Sequence, residues 1–248
     1  MSEALRTPKR LTNDAIVEAL LEVRFREPAV PEVFFGRVAD HRCWTHWVQR
    51  KLPAYQLPVQ IRETEVALRY APIIELLEPQ GQGALRIGPR VASLHRAKPY
   101  PGWETFRQQI SQVIKTLFDT VAPLAIERIG LRYINALRTD LHFIDSPRDL
   151  AVTISDGQGS IQDSFNLNFS KDLDSQTKSM VRIATLDFIQ GETPPNTAAV
   201  VDIDVFSKDF FPQNASDAEV WINKAHGIEK NTFFHLLPLN VIERLKES

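Results

Sequence analysis

Hydrophobic and polar positions alternate most strictly in two stretches. In Ala15 to Phe25, Ala15, Val17, Ala19, Leu21, Val23 and Phe25 fall on one side, and Glu18, Leu20, Glu22 and Arg24 on the other. In Glu127 to Leu137, Ile129, Leu131, Tyr133, Asn135 and Leu137 face one way, and Arg128, Gly130, Arg132 and Ile134 the other. A period of two is that of a strand, because successive Cβ atoms point to opposite faces. An apolar row beside a charged row predicts a sheet with one face on a core and one on water or a ligand.

A helical period replaces the alternation elsewhere. From Gly102 to Val121, Trp103, Phe106, Ile110, Val113, Ile114, Leu117 and Val121 recur at three and four residues, a helix apolar along one face and ended by Pro123. Pro28 and Pro31 predict the start of another helix running to about Arg50, with the stripe Phe34, Val38, Trp44 and Val48. His41 on that stripe reads as a packed core histidine. Ser216-Asp-Ala-Glu219 has the form of a capping box, so the last long helix is expected from about Asp217, with Ala218, Trp221, Ile222, Ala225, Ile228 and Phe233 inward. A short closing helix is expected after Pro238.

Shorter strands are expected at Val59 to Arg62, Glu65 to Tyr70, Ala84 to Ile87, Arg90 to His95, Asp149 to Ser155, Ser164 to Phe169, Met180 to Ile189 and Ala198 to Phe206. Helices among runs of strands, without regular strand-helix-strand repetition, predict an α+β protein: antiparallel sheet with long helices packed on one face. Residues 11–248 are expected to form one domain, behind a flexible basic segment at 1–10. The loop from Thr139 to Arg148 marks candidate halves at 11–138 and 149–248.

The 248 residues are 43% hydrophobic, enough for a substantial core. A formal charge of −2 gives no overall pull toward nucleic acid or anionic membrane. Cys43 is the single cysteine, so no internal disulfide can form, which fits a cytoplasmic location. The N-terminal residues carry no apolar run of the kind a secretory signal needs, and no membrane association is expected.

Three strings resemble a family of sporadically distributed, uncharacterised bacterial proteins: Ile16-Val-Glu-Ala-Leu-Leu-Glu-Val-Arg-Phe25, Tyr100-Pro-Gly-Trp-Glu-Thr-Phe106 and Arg128-Ile-Gly-Leu-Arg-Tyr-Ile-Asn135. The likeness extends through Val201-Asp-Ile-Asp-Val205, Ala225-His226 and Phe233 or Phe234, nearly the whole chain. It implies a place in mobile cassettes such as toxin–antitoxin or phage-defence systems. It brings no catalytic residues with it.

Motifs for phosphate loops, dinucleotide binding, serine nucleophiles and helical zinc sites are absent from the chain, and its six histidines are scattered. Catalytic residues, cofactors and metal ligands are therefore not assigned. The positive signal is charge on strands: Glu18, Glu22, Arg24, Arg128, Arg132, Asp202 and Asp204 are the candidate ligand- or partner-binding set. Arginine forks suit carboxylate or phosphate, and carboxylates can pair with them or hold a divalent cation. The plainer reading is a solvent-side face whose charges pair with one another. Arg86, Arg90, Arg96 and Lys98, near Tyr100 and Trp103, form a second set that could hold nucleic-acid phosphates.

The leading expectation is a non-enzymatic binding or regulatory protein with a protein partner. A small anionic ligand or a metal-dependent phosphate or nucleotide enzyme on the charged face comes next, and a nucleic-acid module after it. An enzyme predicts Glu18, Glu22, Arg132 and Asp202 converging with few ion pairs, whereas a scaffold predicts that they pair off.

Overall fold

The strict alternation of the first strand is realised in β1 (Ile16–Phe25), where Ala19, Leu21, Val23 and Phe25 are buried and Glu18, Glu22 and Arg24 half-exposed. A computed structural model describes residues 8, 11–26, 28, 31–120, 124–155 and 164–246. Most of the basic 1–10 segment, Val121 and Pro123 lie outside the described residues. In order, β1 is followed by α1 (Pro31–Ala39), β2 (Val48–Lys51), α2 (Val59–Thr64), β3 (Ile74–Leu77), β4 (Gly83–Gly88), β5 (Val91–Ala97) and α3 (Trp103–Thr120). Then come β6 (Ile126–Arg138), α4 (Thr139–His142), β7 (Asn166–Asp172), β8 (Thr177–Ala184), β9 (Thr197–Ser207), α5 (Ala215–Leu236) and α6 (Leu239–Leu245).

The nine strands among the described residues form one antiparallel sheet in the order β2-β3-β4-β5-β1-β6-β9-β8-β7, so the fold is α+β. Outward from the central β1–β6 pair the order runs β5, β4, β3 on one side and β9, β8, β7 on the other, with β2 added at the first edge. Register aligns one apolar row, Leu76, Leu85, Leu94, Leu21, Leu131 and Val205, directly opposite one another across six strands. All six are essentially water-free. On this side Phe25 meets Phe34 of α1 edge-on and Phe106 of α3 meets Tyr133 edge-on. Helix α5 lies against β6, β9 and α3.

Several expected elements are corrected. The helix from Pro31 stops at Ala39 rather than Arg50, because the chain turns and Trp44 folds back, its indole donating to the Val38 carbonyl at 2.6 Å. The same carbonyl also accepts from the His41 amide at 3.3 Å, so the two bonds together close the helix end. Trp44 is buried as a stripe residue would be, but through tertiary packing, and Val48 sits exposed on edge strand β2. His41 is half-buried, with Nδ1 3.3 Å from the Thr116 hydroxyl.

Residues 59–62 are helical in α2 and 66–68 form a 3-10 turn; both segments show their apolar side chains to solvent and pair with no strand. Strand β3 was not anticipated. No strand runs through 151–154, where the chain follows a 3-10 turn at Pro147–Asp149. Strand β8 ends at Ala184, short of Ile189. Asn214, not Ser216, caps α5: its side chain accepts from the Asp217 amide at 2.9 Å. Glu219 does not return to Ser216; it accepts from Ser111 on α3.

Candidate functional site

Charged side chains share the sheet face opposite the apolar row because they sit one residue out of step with it on every strand. Arg128 is central. Its Nη1 donates to Glu22 and its Nη2 to Asp204, each at 2.7 Å, and the guanidinium lies 4.5 Å from the centre of the Phe206 ring. Gly130 makes this possible, since a Cβ there would stand 2.7 Å from Arg128 Nη1. Arg24 pairs with Glu22 at 2.8 Å and lies over the Tyr70 ring.

Arg132 forms a two-pronged pair with Asp202 on β9, Nε at 2.7 Å and Nη2 at 2.5 Å. That hydrogen bonding raises the arginine's pKa further. Glu18 takes His95 instead, at 2.8 Å, a bond that holds its carboxyl below the usual range. Burial pushes the Asp204 carboxyl up, against the pull of Arg128 and Arg132. All seven candidate residues thus lie on one face, six in ion pairs and Glu18 hydrogen-bonded to His95, with Arg132 bound to Asp202 rather than to Glu18 or Glu22.

The second set is divided by the fold. Arg86 donates at 2.7 Å to Glu75, which Arg50 also holds; although burial raises that buried carboxyl, the two arginines bring it below its ordinary value. Arg96 points to the opposite face of the same hairpin, buried against Glu78 and Gln109. Arg90 sits in the turn between β4 and β5, and Lys98 follows β5. They do not make one continuous basic surface.

Of these charges Glu18, Arg132 and Asp202 border an open cleft of about 890 Å³ that also takes in Lys98, Arg182, Glu192 and the turn around Phe188. Arg182 donates to the Phe188 carbonyl at 2.7 Å, holding that turn at the rim. Phe188 is exposed there, as are Leu186 in the same turn and Met180 on β8 opposite Asp204.

A second cavity, of about 390 Å³, opens on the other side of the sheet among the start of β1, β6, α3 and α5. Aromatic rings line it. Trp103 stacks on His226 at 3.8 Å, and the hydroxyls of Tyr100 and Tyr133 are hydrogen-bonded at 3.1 Å. Glu229 reaches the cavity from α5 and is only 5% exposed. Burial pushes that carboxyl up to about 8 and holds the His226 imidazole down to about 4. The sequence carried a signal for Glu229: it stands four residues after Ala225 and four before Phe233, on the buried stripe of its helix.

Among the described residues, no group of three or more His, Cys, Asp or Glu is placed to hold a metal ion, and no helix is long and apolar enough to cross a membrane. Comparison with protein-family models and with curated proteins finds no match.

Proposed function

We propose that this chain is a non-enzymatic binding or regulatory protein of the bacterial cytoplasm, acting through a protein partner in a defence or toxin–antitoxin type cassette. The cassette and the family rest on the resemblance of the strings at 16–25, 100–106 and 128–135. The binding role is supported by one observation above others: Phe188 stands exposed on the wall of a cleft that also holds the Arg132–Asp202 pair, with Leu186 exposed in the same turn and Met180 exposed on β8 opposite Asp204. Exposed methionine and aromatic side chains with arginine nearby are the composition of protein interfaces. Acids mixed among the arginines disfavour a polyanion, and carboxylates already engaged by arginine are poor ligands for a divalent cation.

In this reading the long helices pack on one face and leave the charged face for the partner. The matched strand order on either side of β1 and β6 supports two related halves, divided before β6 rather than in the 139–148 loop.

The test is affinity purification of the full chain from cells carrying its own gene neighbourhood, with mass spectrometry of what remains bound. A neighbour-encoded protein should be retained by the native chain and lost from folded Arg132→Met and Phe188→Ser variants. Retention unchanged in both variants, or no protein held by the native chain, refutes the reading.

A further inference from the structure

We propose that the cavity between β1, β6, α3 and α5 binds a small organic cation, its ammonium or amidinium group against Glu229 and its apolar part among Trp103, Phe233 and Phe234. At about 390 Å³ the cavity is of the size that takes small ligands. Five aromatic side chains, Trp103, Tyr100, Tyr133, Phe233 and Phe234, line it, and aromatic faces attract cations. The decisive group is Glu229, which lines this cavity from the buried stripe of α5 and is only 5% exposed. An ammonium or amidinium entering the cavity would meet that carboxyl and hold its ionised form through charge-assisted hydrogen bonds.

Charge selects the sign of the ligand. Asp14, Glu104 and Lys230 also line the cavity, so among the described residues three carboxyl groups face one cationic side chain there. His226 adds no charge near neutral pH, since burial holds it down to about 4, and burial pushes Tyr100 and Tyr133 up. A carboxylate ligand would meet like charge. A neutral ligand would gain neither a charge-assisted hydrogen bond to Glu229 nor the attraction of aromatic faces for a cation.

The inference is independent of the protein-partner reading, whose surface lies on the opposite sheet face. It is tested by calorimetric titration of the full chain with phenethylammonium and benzamidinium, against phenylpropanol and phenylpropionate. Because Glu229 must ionise, cation binding should tighten roughly tenfold per pH unit as pH rises toward 8 and release a proton. Phenylpropanol and phenylpropionate should bind at least about tenfold more weakly, and Glu229→Gln should weaken the cations by about tenfold or more while abolishing the pH dependence. The amide matches the neutral acid in shape, and its melting curve checks the fold. Should that variant not fold, proton release by the native chain decides. The proposal is overturned if phenylpropanol binds as well as the cations, if the folded variant binds them unchanged, if no proton is released, or if neither cation binds more tightly than about 1 mM.

Discussion

Arg128→Met is expected to destabilise the fold by about 2–4 kcal/mol, and Arg132→Met by about 1 kcal/mol or less. The two arginines sit four residues apart on the same strand face, but their surroundings differ. The Arg128 side chain is 18% exposed and bridges two carboxylates, Glu22 and Asp204, at 2.7 Å each. Removing it leaves both acids facing the space it filled. Breaking a buried pair from one side costs about 3–5 kcal/mol, and the remaining water contact, with Arg24 still beside Glu22, reduces this.

Arg132 is itself 41% exposed and holds one acid, Asp202, rather than two, so water reaches the pair from the arginine's side and the loss is the smaller. Asp204 supplies the pH dependence. Burial already raises its carboxyl, and losing Arg128 raises it further. A folded-state pKa above the unfolded one means stability that is full in acid and lost as pH rises through the folded value. The Arg128→Met deficit should therefore shrink on acidification toward the carboxylate range. Urea unfolding followed by tryptophan fluorescence and circular dichroism, near neutral pH and in mild acid, reads both quantities. An Arg128→Met loss under about 0.5 kcal/mol, or a loss at Arg132 equal to it, would refute this account of the face.

Phe106→Ala, which empties a fully buried site edge-on to Tyr100 and Tyr133, should cost about 3–5 kcal/mol in the same assay; under about 1 kcal/mol would mean that α3 does not pack here. Asn214→Ala should cost about 0.5–2 kcal/mol, whereas Ser216→Ala should stay within about 0.5; the reverse order in thermal melts would restore Ser216 as the cap. His142 is fully buried, and burial holds it down to about 4, so it favours folding above its unfolded value and loses that contribution as pH falls from about 6.5 toward 4. His142→Gln should flatten the acid limb of the stability curve by up to about 1.4 kcal/mol per pH unit, and an unchanged limb would mean that the imidazole is solvated.

Elements whose burial is one-sided along their whole length were legible in the sequence. β1, β6 and α3 run from edge to edge of their pattern, so period and burial report the same thing. The misreadings fall where a pattern has another cause. Trp44 continues the spacing of α1 but reaches the core from a turn, and Val59, Ile61 and Val66 are apolar residues that the fold leaves outside. Alternation over four residues cannot tell a strand from an exposed helical turn, since neither buries a continuous row. Ser216 and Glu219 have capping-box spacing, but Asn214 stands earlier and captures the Asp217 amide first.

For the charged face, the alternation announced which residues share a side but not which would meet. Pairing depends on strand neighbours and register, and the bond from Arg132 to Asp202 spans 70 residues of sequence. β1 does lie beside β6, with Leu20 opposite Arg132, yet β9 on the other flank sets Asp202 within reach and Glu22 is taken by Arg128. Glu229 is the contrasting case, because its signal is local. Ala218, Ile222, Ala225, Glu229 and Phe233 follow one another at three or four residues, and only one of them can ionise. A helix that exists to fill a core has no use for an acid on that line, where a leucine would contribute burial at no electrostatic cost. The carboxyl opens on a cavity rather than on packed side chains, so what the stripe gives up in packing there is available to a ligand.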